Sequence, residues 1–154
     1  MRHRVVALST LTTLLLAVTA CGESRSAQCG KIGDILNATS SQMLSFSSTS
    51  EGFVKGAELA DQAAADLEAL KLGDKKLSNL RSHLAAAYRA TSTTSREMET
   101  ISGGEGSVVV NADSAAVVSR FEETSKEFQS VFNATQSYCS GGSVPSELTS
   151  KPAS

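Results

Sequence analysis

The sequence predicts an all-α fold, an up-down-up-down four-helix bundle closed by a disulfide between its terminal helices. Three observations carry this expectation. Apolar residues recur at helical spacing in four successive stretches. Short runs of Gly, Asp, Ser and Thr, the residues that cap helices and turn the chain, separate those stretches. Cys29 stands on the first apolar stripe and Cys139 on the last.

In the first stretch Cys29, Ile32, Leu36 and Met43 lie three, four and seven residues apart, with Ile35 and Leu44 widening the stripe. This predicts a helix over 27–45. Ser45-Phe46-Ser47-Ser48-Thr49-Ser50 is poor in helix formers and offers Ser50 as a cap with Glu51 in the next turn, so the helix breaks there. Phe53, Ala57, Ala60, Ala64, Leu67 and Leu70 form the second stripe, on a segment of high helix propensity over 51–71. Gly73 suits the left-handed position past a helix end and Asp74 is a ready N-cap, which makes Leu72-Gly73-Asp74 a tight turn.

Leu77, Leu80, Leu84, Ala87, Tyr88, Thr91, Met98 and Ile101 carry the third helix to Ser102. Its Thr91-Ser92-Thr93-Thr94-Ser95 segment has weak propensity and must lean on packing. Gly103-Gly104-Glu105-Gly106 ends it, and Val108-Val109-Val110 is an extended run too short to form a sheet alone. Asn111 or Asp113 caps the fourth helix, whose stripe is Val117, Phe121, Phe128, Val131, Phe132 and Cys139. Ser140-Gly141-Gly142-Ser143 stops it, and residues 140–154, with Pro145 and Pro152, read as a disordered tail.

The chain opens with Arg2 and Arg4, followed by an apolar run from Val5 to Leu16 that Ser9, Thr10, Thr12 and Thr13 interrupt. A span needs about 20 apolar residues, so residues 1–20 read as a secretory signal. The small residues at its end are followed directly by a cysteine, and Val18-Thr19-Ala20-Cys21 resembles the lipobox of bacterial lipoproteins. The resemblance implies acylation of the Cys21 sulfur, cleavage that makes Cys21 the first mature residue, and a mature protein exported and held to the cell envelope by its N-terminal lipid. Gly22 stands where an aspartate commonly retains such proteins at the inner membrane, which points to an outer-membrane address where the cell has one. Residues 21–28 are then a polar, lipidated tether, and 29–139 the helical domain.

With Cys21 assigned to lipid, Cys29 and Cys139 remain, and export makes a disulfide between them the expected state, with two reduced buried thiols as the alternative. Such a bridge decides the number of helices. A helix of about 25 residues is nearly 40 Å long, whereas bridged Cα atoms stand within about 7 Å. Merging the first two helices would leave three and put the cysteines at opposite ends; four bring them together.

Removing residues 1–20 takes two of the 14 basic residues and none of the 16 acidic ones, leaving a formal charge of −4. That argues against nucleic acid and against adhesion to anionic head groups, both of which want clustered Lys and Arg. Trp is absent, aromatics are 5 % of the chain, and the Ala-rich core packs too closely for a sizeable ligand cavity.

No constellation carries chemistry. His83 is the only histidine of the mature chain and lacks the Glu-x-x-His context of bundle metal sites, since Leu80 stands three residues before it. The Gly103–Gly106 cluster has no following Lys-Ser/Thr and follows no strand, so it is a loop and not a phosphate cradle. No serine sits in a Gly-x-Ser-x-Gly elbow. Asn37-Ala38-Thr39 and Asn133-Ala134-Thr135 match the glycosylation sequon by chance, within helices. Asp61, Asp66, Glu68, Glu122, Glu123 and Glu127 read as solvated outer faces. No cofactor or metal is expected.

Two functions fit. One is a non-enzymatic envelope lipoprotein whose bundle acts as a structural or protein-interaction module. The alternative is a carrier or sensor of a small apolar ligand bound between the helices. In the bundle the loops 45–51 and 102–113 share the end away from the membrane. They hold Phe46, Val108, Val109 and Val110, with Phe53 just beyond, either as a contact patch for an envelope partner or as a cap over the core.

Overall fold

The computed structural model describes residues 23–102, 112–150 and 152. Four α-helices follow one another: α1 (Arg25–Met43), α2 (Ser50–Ala69), α3 (Lys75–Ile101) and α4 (Ala112–Cys139), with a 3₁₀ turn, η1, at Ser146–Leu148. There is no strand among the described residues.

Each α-helix start that is described has a side-chain cap. Ser24 accepts from the Ala27 N–H at 3.2 Å, Thr49 from Gly52 at 3.2 Å, and Asp74 from Leu77 at 3.0 Å. Thr49, not Ser50, therefore caps α2. Gly73 has no positive φ; among the described residues the glycine in the left-handed region is Gly141, at +91°. It ends α4 in a Schellman arrangement, where Gly142 N–H donates to the Ser137 carbonyl at 2.8 Å and Gly141 N–H to Tyr138 at 3.1 Å. The end of α2 is met from outside, by an Arg81 Nη1 bond to the Leu70 carbonyl.

The weak-propensity turn of α3 is stabilised as expected, by burial. Ser92, Thr94 and Ser95 are buried, while Thr91 and Thr94 return their hydroxyls to the Ala87 and Ala90 carbonyls at 2.9 and 3.1 Å.

α3 is the packing centre, with α2 along one side and α4 along another, and α1 leans mainly on α2. Ala57, Ala60 and Ala64 of α2 are fully buried, so small side chains let α2 and α3 approach closely around Leu67, Leu77, Leu80 and Leu84, all fully buried. Each such leucine contributes about 1.5–3 kcal/mol by leaving water. Exposed pairs fix the register. Arg89 holds Glu68 through two bonds of 3.1 and 2.8 Å, Arg96 holds Asp61 at 2.7 Å, and Arg120 of α4 holds Glu97 at 3.0 Å. The arginines hold the Asp61 and Glu68 carboxyls below their usual range, chiefly through these hydrogen bonds. These carboxylates thus link helices, beyond solvating outer faces. The start of α2 lies beside the end of α3, where Ser50 Oγ donates to Glu99 at 3.3 Å.

The Cys29–Cys139 disulfide is present, with Cα atoms 5.8 Å apart. Three further sequence readings are corrected. The domain begins before Cys29, because α1 starts at Arg25 and Gln28, assigned to the tether, is 4 % exposed. The tail is ordered through Ser150: Leu148 enters the core cluster, Asn79 Nδ2 donates to the Thr149 carbonyl, and His83 Nε2–H donates to the Ser150 carbonyl at 2.7 Å. A leucine six residues beyond a Gly-Gly turn can fold back onto the bundle, here against α3, which low average hydrophobicity conceals. Leu44 does not widen the α1 stripe; it is the C-cap residue and 89 % exposed.

Candidate functional site

The two ends of the domain differ in chemistry. At the disulfide end the key side chain is Gln28, which lies four residues before Ile32 and so extends the buried face of α1. Its Nε2 donates to the Glu23 carbonyl at 2.7 Å, and its Oε1 accepts from the Gly73 and Asp74 N–H groups at 2.8 and 3.0 Å. One buried amide therefore ties the chain entry, α1 and the α2–α3 turn together. The sequence signal for it was the i, i+4 relation to Ile32.

Asp74 is the second junction. One oxygen caps α3, and the other accepts the Tyr138 hydroxyl of α4 at 2.8 Å. Burial alone would raise its pKa, but the Leu77 N–H, the Tyr138 hydroxyl, the Lys76 backbone and the Arg25 charge outweigh it and hold the carboxyl below its ordinary value. The Arg25 guanidinium lies 5.0 Å from the centroid of the Tyr138 ring, a cation–π contact. Glu23, Arg25, Gln28, Lys71, Gly73 and Asp74 line an open polar cleft of about 420 Å³ at this end.

Between α1 and α4 a groove of about 180 Å³ opens beside the disulfide, with Ile32, Gly33, Leu36, Phe132 and Thr135 on its walls. It is smaller than the roughly 300–1,000 Å³ of small-molecule sites.

At the far end the expected contact residues divide. Phe46 is half-buried, its ring over Gly56, where an added Cβ would stand 4.0 Å from the ring edge. Phe53 meets Phe121 edge-on, with centroids 6.4 Å apart. Both aromatics therefore close over the helices. Leu44, absent from the expected set, is the most exposed large apolar residue described. Val108, Val109 and Val110 lie outside the described residues, as does Cys21.

Among the described residues no group of three or more His, Cys, Asp or Glu could hold a metal ion. No described helix is long and apolar enough to cross a membrane. No family model, curated protein or solved structure matches the chain.

Proposed function

We propose that this chain is an exported lipoprotein, anchored in the cell envelope by acyl chains on Cys21, whose up-down-up-down bundle serves as a structural or protein-interaction module. The observation that carries this reading is the Cys29–Cys139 bridge. A bridge of this kind suits an oxidising compartment, and its helix α1 begins four residues after the lipobox cysteine. The lipid thus attaches at the disulfide end and leaves the far end, with its exposed Leu44, free for an envelope partner. The small volume of the α1–α4 groove weighs for a module over a ligand carrier.

Two measurements test this. Intact mass should show acyl chains on Cys21, and Cys21→Ala protein should leave the membrane fraction; membrane retention of that variant, with no acyl mass on the native protein, refutes the anchor. For the module, a photo-crosslinker at position 44 should give one discrete adduct in the envelope. Replacing Val108 and Val110 by Ser should remove it at unchanged thermal stability. Lost stability with the adduct intact would make that loop a lid over the core.

A further inference from the structure

Although the mature chain is acidic, its folding gathers cations at the disulfide end. Arg25 and Lys71 line the polar cleft, and Lys75 and Lys76 occupy the first turn of α3. All four are exposed, and none forms an ion pair among the described residues. The carboxylates of the same end are mostly engaged: Glu23 pairs with Lys31 at 2.8 Å, Glu68 with Arg89 at 2.8 Å, Asp66 accepts from Gln62, Asp74 accepts from Leu77 and Tyr138, and Glu147 stands in η1. The placement of Lys75 and Lys76 is locally unfavourable. A helix N-terminus carries partial positive charge and favours Asp or Glu in its first turn; α3 has none there, and the Asp74 carboxylate at its N-cap offsets the two lysines only in part. An outside anion would relieve that repulsion.

We propose that this end is a basic footing that rests on the phosphates of anionic phospholipids, with a head group entering the cleft between Arg25 and Lys71. The inference deepens the lipid-anchor reading and rests on it, because a lipid on Cys21 would hold this face, and no other, against the bilayer. Each Lys or Arg near an anionic surface strengthens association on the order of fivefold. Four such residues are too few to recruit an acidic protein from solution. They suffice to orient one that is tethered, since the tether sets a high effective concentration. The bundle then stands upright and points Leu44 away from the membrane.

The test uses the acylated protein reconstituted in vesicles of phosphatidylcholine alone or mixed with phosphatidylglycerol. Flotation reports the anchor, and amide hydrogen exchange over residues 70–76 reports the footing. The expected result is flotation with both vesicles and exchange slowed on the order of tenfold with phosphatidylglycerol only. High salt and the Lys71→Gln, Lys75→Gln, Lys76→Gln variant should each restore fast exchange. Equal exchange on the two vesicles, with flotation intact, overturns the footing and leaves the anchor standing. Failure to float on phosphatidylcholine overturns the anchor instead. Slowing by inorganic phosphate on neutral vesicles would reassign the face to a soluble anion and overturn the proposal.

Discussion

Replacing Cys29 and Cys139 together by Ala removes a bridge that spans 110 residues of sequence. In the chain-entropy account, releasing a loop of that length costs about 4–5 kcal/mol of stability. Where that loss appears depends on how α1 is held. Only Gln28, Ile32, Leu36 and Thr39 of its 19 residues are buried. With so few of its side chains buried, α1 depends on the bridge for a large share of what holds it in place, whereas α2, α3 and α4 share most of the core. The double variant should free α1 first: its amides should exchange about a thousandfold faster, the equivalent of roughly 4 kcal/mol, while those around Leu67, Leu80 and Leu84 stay protected. Hydrogen exchange with mass spectrometry reads both regions in one experiment, and reduction of the native protein should reproduce the pattern. Unchanged exchange in α1 would refute the energetic argument. An equal rise across all four helices would refute the separation of α1 from the core.

Gln28→Ala should cost about 2–4 kcal/mol in urea denaturation, because it leaves the Gly73 and Asp74 N–H groups without their buried acceptor. Gly52→Ala should destabilise by more than about 2 kcal/mol, since its Cβ would stand 1.9 Å from the Ser47 carbonyl oxygen and the backbone must move; a neutral result would mean that the α1–α2 connection yields freely. Tyr88, 2 % exposed, has its pKa pushed up to about 12 by burial, from an ordinary 10.0. The native state thus keeps this proton longer than the unfolded chain does. Its contribution is intact below pH 10 and is lost as pH rises towards 12, on the order of 2–3 kcal/mol, and Tyr88→Phe should flatten that part of an alkaline stability curve.

The helices and their pairing of cysteines were legible in the sequence because both depend on local or countable features. Apolar spacing of three and four residues is a property of one segment, so α2 and α3 appear near the bounds it predicts. The parity argument needed only helix length and the reach of a disulfide, and the bridge is present. The ends of the domain were not legible in this way. Gln28 and Leu148 become buried through partners 45 and more residues distant; Gln28 does stand four residues before Ile32, but a polar amide in that register does not by itself specify burial, and a lone leucine in a polar run carries no periodic signal at all. Leu44 leaves the stripe it was expected to widen because α1 ends at Met43, while Phe46, expected as either a contact or a cap, is half-buried over Gly56. The net negative charge argued against an anionic surface, since a sum has no position. Tertiary structure brings Arg25 of α1 and Lys71 of the α2–α3 turn to the walls of one cleft, a juxtaposition across 46 residues that no sum of charges contains.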